Sequence, residues 1–138
     1  MSFEAALAKR LLSAAPVSAA VGTRVDWMRR VQGATLPAIT LHTISDRRGQ
    51  HMKGFQPTVA RIQIDVWAND FAASLLLRDA VITAVVPAAA IDGVRFQRGK
   101  DVSVRAEREE TGDGTDLYRQ IIDIQFTYTN SLQEQNNG

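Results

Sequence analysis

The feature that most constrains this chain is a stretch of alternating polar and apolar residues in its middle. From Arg61 to Trp67 the sequence alternates with the two-residue period of a β-strand. The apolar face would consist of Ile62, Ile64 and Val66. The polar face would consist of Arg61, Gln63, Asp65 and Trp67. Because these four residues are not the usual Lys, Glu and Thr of a solvated strand face, we expect a second layer or a partner to cover them.

A long apolar run follows this strand directly and predicts a helix from Phe71 to Val86. Asn69 or Asp70 would cap its first turn by accepting a backbone N–H bond. The apolar stripe predicted for this helix consists of Phe71, Leu75, Ile82 and Val86, with Ala72, Leu76 and Ala80 alongside. The middle of the chain therefore predicts a strand, a tight turn and a helix.

The rest of the chain adds one helix and several strands. Ser2 would cap a first helix, Ala15-Pro16 would break it, and at most one further turn would follow before Gly22. Strand patterns occupy Arg24–Trp27, Leu36–Ile44, Val94–Gln97, Val102–Glu107 and Leu117–Thr129. This order predicts an α+β fold, with a mostly antiparallel β-sheet, two main α-helices packed on one side, and a C-terminal β-hairpin.

The length and composition predict one ordinary globular domain. The chain has 138 residues, no cysteine, and 16 basic against 15 acidic residues. The absence of cysteine excludes disulfides, thiolate metal sites and thiol catalysis. The near-neutral charge argues against non-specific nucleic-acid binding as the main task. We expect a soluble protein made inside the cell, with a single domain over residues 1–130 and a flexible tail over 131–138.

The segment from Ser45 to Thr58 is the longest stretch without a secondary-structure pattern, a length that usually marks function or disorder. It contains a basic cluster with two apolar residues interleaved, namely Arg47, Arg48, His51, Met52, Lys53 and Phe55. Exposed apolar residues among charges are typical of a docking surface. The alternatives are contact with an acidic partner surface, contact with DNA, or a solvated loop.

Catalytic and metal-binding patterns are weak, and we expect no cofactor, metal or catalytic site. His42 and His51 are the only histidines, so a metal site would need carboxylates such as Asp46. Ser45, Asp46 and His51 are triad residue types, but they share one short loop without a Gly-x-Ser-x-Gly motif. Gly112-Asp113-Gly114 lacks the context of a phosphate-binding turn and predicts a hairpin connection.

Two aspartates lie inside predicted strands, Asp65 and Asp123. An acid/base pair is conceivable, but nearby arginines favour ion pairs across the sheet or across a subunit boundary. The candidate partners are Arg61, Arg105 and Arg119.

Four segments in this order and spacing resemble the tail-completion, or tail-terminator, proteins of long-tailed bacteriophages and phage-derived particles. The segments are Gly22–Val25, Leu36–Leu41, Arg61–Ala68 and Leu117–Phe126. The resemblance implies an α+β subunit of a homo-oligomeric ring, commonly a hexamer, at the head-proximal end of the tail tube. Such a ring ends tail polymerisation and provides the surface for head–tail joining. The family has no catalytic residues to carry over.

The resemblance also implies the partners and the location. The partners would be the tail tube protein, a head–tail connector or neck protein, and DNA passing through the ring, with no membrane involved. The protein would be assembled in the host cytoplasm and reside in the virion tail. Candidate interface residues are Arg47, Arg48, His51, Met52, Lys53, Phe55, Arg61, Asp65 and Trp67. The alternatives are another neck protein, such as a head-completion or connector-stopper protein, or a small nucleic-acid-binding module; an enzyme is the least supported.

Overall fold

The computed structural model describes residues 1–29, 35–48, 57–112 and 115–130. Within these ranges lie three helices and one sheet of seven strands. The helices are α1 (Phe3–Ser13), α2 (Ala15–Val21) and α3 (Phe71–Val85). The strands are β1 (Val25–Trp27), β2 (Ala38–Arg47), β3 (Thr58–Ala68), β4 (Ala89–Ile91), β5 (Val94–Phe96), β6 (Lys100–Glu110) and β7 (Asp116–Asn130).

The sheet has the strand order β1-β2-β3-β7-β5-β4, with β6 paired to β7. The described pairs are antiparallel except β1 with β2, which is parallel. The predicted α+β class and the C-terminal hairpin, formed by β6 and β7, are therefore confirmed. A second hairpin joins β4 to β5 through Asp92 and Gly93, both of which have positive φ. Among the described helices, none is long and apolar enough to cross a membrane.

The core lies between the helices and the apolar face of β3 and β7. Ile62, Ile64 and Val66 are fully buried, as the alternation predicts, and each contributes about 1.5–3 kcal/mol by leaving water. Phe126 is the largest fully buried side chain in the described part of the chain, and Phe3 of α1 packs against its ring. The two predicted helix caps are found. Ser2 caps α1, and Asp70, the second of the two candidates for α3, caps that helix.

The buried stripe of α3 differs from the prediction. The residues buried on this helix are Ser74, Leu77, Val81 and Val85. Two residues of the predicted stripe, Phe71 and Leu76, are exposed instead. The run is apolar almost all round, so several stripes were compatible with it, and the direction in which α3 meets β3 and β7 decides which one is buried.

Two boundaries also differ from the prediction. Helix α2 has seven residues, about two turns, because Pro16 stands in its first turn, where its missing N–H costs no hydrogen bond. Strand β2 continues to Arg47, and β3 begins at Thr58. Residues Ser45 to Arg47 are therefore paired with β3 and not part of a loop. Residues 49–56 lie outside the described residues.

Candidate functional site

The polar face of β3 is organised around Asp65, whose side chain is 0% exposed. Arg119 of β7 donates a 2.7 Å hydrogen bond from Nη2 to Asp65 Oδ2. In the sheet register Arg119 lies opposite Trp67, so its guanidinium reaches diagonally along the face to the carboxylate. The predicted pairing of this aspartate with an arginine is thus found within a single chain.

The same arginine also covers Trp67. The Arg119 guanidinium lies over the indole ring, 4.8 Å from its centroid. The indole Nε1 donates a 3.0 Å hydrogen bond to Oγ1 of Thr40 on β2, a residue that is buried. This contact joins β2, β3 and β7 through side chains as well as through the backbone ladder.

Further polar groups surround the buried carboxylate. Gln63 Nε2 lies 3.1 and 3.2 Å from the two carboxylate oxygens of Asp65 and donates to them. His42 Nε2 lies 3.7 Å from Asp65 Oδ2. A buried charge is costly unless it is paired and hydrogen-bonded, and these neighbours meet that requirement.

A second ion pair lies further along the same face. Arg61 of β3 is paired with Asp123 of β7, and both side chains are about one-third exposed. This pair is again one that the sequence predicts. The polar face thus consists of side chains held in place within the subunit, with Arg61, Gln63 and Trp67 still partly open to solvent.

A cleft of about 370 Å³ opens over this face. Its lining carries charges of both signs, from Arg29, Asp65, Glu109 and Arg119. In the described ranges, no group of three or more acidic or histidine side chains is placed to hold a metal ion. The carboxylate of Asp65 already accepts hydrogen bonds from Arg119 and Gln63, which favours a structural role over general acid or base chemistry.

Strand β6 is a surface that the sequence reasoning missed. All eleven of its residues are exposed, whereas the neighbouring β7 alternates between buried and half-buried residues through most of its length. The signal was present in the sequence. Four consecutive charged residues, Glu107 to Glu110, leave this end of the strand without an apolar face to bury.

The structure describes two residues of the predicted basic cluster. Arg47 and Arg48 are exposed at the end of β2, while His51, Met52, Lys53 and Phe55 lie outside the described residues. Arg48 Nη2 donates to Asp46 Oδ2 at 3.0 Å, and this hydrogen bond raises the pKa of Arg48. Arg61, Asp65 and Trp67 share the polar face of β3, and only Arg61 is close to Arg47, being two residues along β3 from Val59, with which Arg47 is paired.

Comparison with known proteins gives one family and one fold. The sequence model of the tail completion protein gp17 family matches residues 5–129. A chain described as "Virion of native gene transfer agent (GTA) particle" has a similar structure, with a TM-score of 0.62 and 17% identity over 93% of this chain and 96% of that chain. At this identity the similarity shows a shared fold. No curated protein matches the sequence.

The family match begins in the first turn of α1 and ends one residue before the end of β7, so it covers nearly all of the sheet and of the three described helices. The resemblance to tail-completion proteins is therefore confirmed. The chain belongs to the tail completion protein gp17 family.

Proposed function

We propose that this protein is a structural component of a phage-like virion that forms a ring at the head-proximal end of the tail tube. The ring ends tail polymerisation and provides the surface that joins the tail to the head. The observation that carries this proposal is the family match over residues 5–129. The protein would be assembled into the virion tail in the host cytoplasm and would reside there.

The geometry of the subunit supports a ring. A head-to-tail ring needs two different surfaces on each subunit, and it closes when the rotation between neighbours completes a circle. The sheet offers an exposed strand, β6, on one side and the exposed second half of β2 on the other. We propose a homohexamer, in keeping with the ring that the family resemblance implies.

Three further contacts complete this function. The two faces of the ring would bind the tail tube protein on one side and a head–tail connector or neck protein on the other. The basic residues Arg47 and Arg48, together with His51, Met52, Lys53 and Phe55, would contact such a partner or DNA passing through the ring. We place these contacts on one domain over residues 1–130; the tail predicted over 131–138 lies outside the described residues.

The protein would act by shape and surface complementarity without catalysing a reaction. The buried carboxylate that could serve as a general base, Asp65, is engaged by Arg119 and Gln63. No cofactor is required for this mode of action. The paired charges instead hold the polar face of the sheet in a defined shape for assembly.

Negative-stain imaging and solution mass test this function. We expect ring-shaped particles with six subunits, either for the purified protein or after addition of tail tubes, and capped tubes that stop growing. A protein that stays monomeric with tubes and leaves their growth unchanged would contradict the proposal. Rings that bind the connector but not the tube would indicate another neck protein, and DNA binding that weakens with salt would indicate a nucleic-acid-binding module.

A further inference from the structure

Strand β6 is an edge strand with no covered face. Among the described strands it pairs with β7 alone, so its other edge presents a row of backbone N–H and C=O groups. Val102 and Val104, which point to the apolar side of the sheet, are 38% and 41% exposed. The helices contact β1, β3, β4 and β7, and the apolar face of β6 is left open.

Such a strand is poorly stabilised in an isolated subunit. A strand gains most of its stability from a face packed against a core, and β6 gains little from either face because all eleven of its residues are exposed. A long exposed edge is also a template for pairing with another chain, a liability that proteins otherwise reduce by keeping edge strands short. The eleven residues of β6 are therefore best explained by a partner that adds a strand beside it.

The opposite side of the sheet has a second open edge. Strand β1 pairs only with Ile39, Thr40 and Leu41 of β2. The second half of β2, from His42 to Arg47, has β3 on one side and no described strand on the other. Ile44 in this half is 52% exposed and lies at a β-bulge.

The two edges carry complementary charges. Arg47 at the end of β2 has no ion-pair partner among the described residues, and neither do Asp101 and Glu109 on β6. Arg48, next to Arg47, is already engaged with Asp46. Within the described part of the chain, the β2 edge therefore offers a free cation, and β6 offers two free carboxylates together with one unpaired lysine, Lys100.

The strand directions are also compatible. Strand β2 is antiparallel to β3, β3 to β7, and β7 to β6, so β2 and β6 run in opposite directions in one subunit. A rotation about an axis roughly parallel to the strands preserves these directions. Strand β6 of one copy would then meet β2 of the next copy as an antiparallel pair, with ladder hydrogen bonds interrupted at the β-bulge of Ile44 and at the irregularity between Lys100 and Ser103.

We propose that β6 pairs with residues His42–Arg47 of β2 from a second copy of this chain, and that this pairing is the contact between neighbouring subunits of the ring. The inference rests on the proposed ring function and identifies its subunit interface. If Ile44 lies opposite Val104, counting three residues in opposite strand directions brings Arg47 to Asp101, which has a positive φ and lies in the irregular part of β6 between Lys100 and Ser103. The contact covers exposed apolar groups and pairs Arg47 with Asp101.

Disulfide trapping tests this interface directly, since the chain has no cysteine of its own. The variant carries Ile44→Cys together with Val104→Cys. Within one chain these residues are separated by β3 and β7, about 14 Å across the sheet at the usual strand spacing, too far for a disulfide. Under mild oxidation we expect a ladder of covalent multimers that ends at the ring size, while each single-cysteine variant stays monomeric in a denaturing gel.

A matched control pairs Val104→Cys with Leu76→Cys, an exposed position on α3 outside the proposed contact. This variant should give no ladder. A ring of correct mass that gives no ladder with the first pair, or an equal ladder with the control, would overturn the interface and leave the ring function standing. A protein that forms no ring, even with tail tubes, would overturn the ring function and the interface with it.

Charge exchange gives an independent measurement that needs no disulfide. Arg47→Asp and Asp101→Arg should each raise the protein concentration needed for ring assembly by about tenfold, because each places like charges together. The double variant should restore assembly towards the wild-type concentration. If the two single effects simply add in the double variant, Arg47 and Asp101 do not meet and the proposed pairing is wrong.

Discussion

Asp65 and Arg119 form an ion pair in which the carboxylate is completely buried and the arginine side chain is 22% exposed. The two residues stand on neighbouring strands and are 54 positions apart in the chain. Because Arg119 also lies over Trp67, one side chain connects the buried charge to the aromatic cover of the sheet. The polar face of β3 is therefore a structural layer whose integrity depends on this pair.

Asp65→Asn should destabilise the fold by about 3 kcal/mol, because it removes the buried carboxylate partner of a largely buried guanidinium and leaves it only the partly exposed Glu107 at 3.4 Å. Urea unfolding measures the effect. The matched control is Asp79→Asn, which breaks the exposed contact with Arg78 and should cost less than about 1 kcal/mol. Equal losses in the two variants would show that the buried pair contributes no more than a surface pair.

Trp67→Ala should cost about 3 kcal/mol, since it removes the indole packing, the contact with Arg119 and the hydrogen bond to Thr40. Trp67→Phe keeps most of the ring and should cost about 1 kcal/mol, the net value of the hydrogen bond. Thermal and urea unfolding separate the two, with Glu134→Ala in the tail as the neutral reference. A Trp67→Ala protein as stable as that reference would mean that the polar face of β3 contributes nothing to the stability of the fold.

Arg61→Glu should weaken both the fold and ring assembly, because it replaces a cross-strand ion pair with a second carboxylate beside that of Asp123. The expected loss of stability is about 1 kcal/mol. The exchanged variant, Arg61→Asp with Asp123→Arg, should recover most of it. Recovery of stability without recovery of assembly would place Arg61 in a contact with another chain; no loss in either measurement would contradict the prediction.

Deletion of residues 49–54 should leave the fold intact and block docking to partners. The ladder between β2 and β3 begins at Arg47 paired with Val59, so a deletion that includes Arg47 would remove a paired strand residue. The shorter deletion leaves a connection of ordinary hairpin length between the strands. Circular dichroism melting and binding to tail tubes provide the two readouts, and a large drop in melting temperature would mean that the segment belongs to the core.

Stability should fall in alkaline solution through Tyr128. Burial raises the pKa of this phenol above 10.0, and its ring stacks on Phe3 at 4.2 Å. The folded state holds the phenolic proton more tightly than the unfolded state, so this contribution is complete below about pH 10 and is lost as the pH rises through and above it. Melting temperatures followed from neutral to alkaline pH should decline less steeply for Tyr128→Phe; identical slopes would exclude Tyr128 as the cause.

The sequence was informative wherever a local pattern had one physical solution. The alternation at Ile62, Ile64 and Val66 predicts their burial, because a strand places every second side chain on one face. It was uninformative where the composition allowed several solutions. The apolar run of α3 contains more than one possible stripe, and Leu77 and Val81 were buried while Leu76 was not.

For the candidate functional surface, too, the sequence indicated one part and the tertiary structure decided another. The residue types of Arg61, Asp65 and Trp67 indicate a strand face that another group covers. Which group covers it depends on the pairing of β3 with β7, which brings Arg119 from a strand far along the chain. The open edge of β6 depends even more on tertiary structure. An edge exists only once the strand order of the whole sheet is set.

By itself, the sequence determined the central strand, two candidates for the cap of the helix after it and the class of the fold, because these follow from residue periodicity and from short-range backbone chemistry. The resemblance to tail-completion proteins rests on four matched segments of the sequence. Only the tertiary structure decided which face of α3 is buried, which arginine neutralises Asp65, and that β6 remains uncovered. Those outcomes depend on contacts between residues distant in the chain, where register and strand order, and not local composition, determine which groups meet.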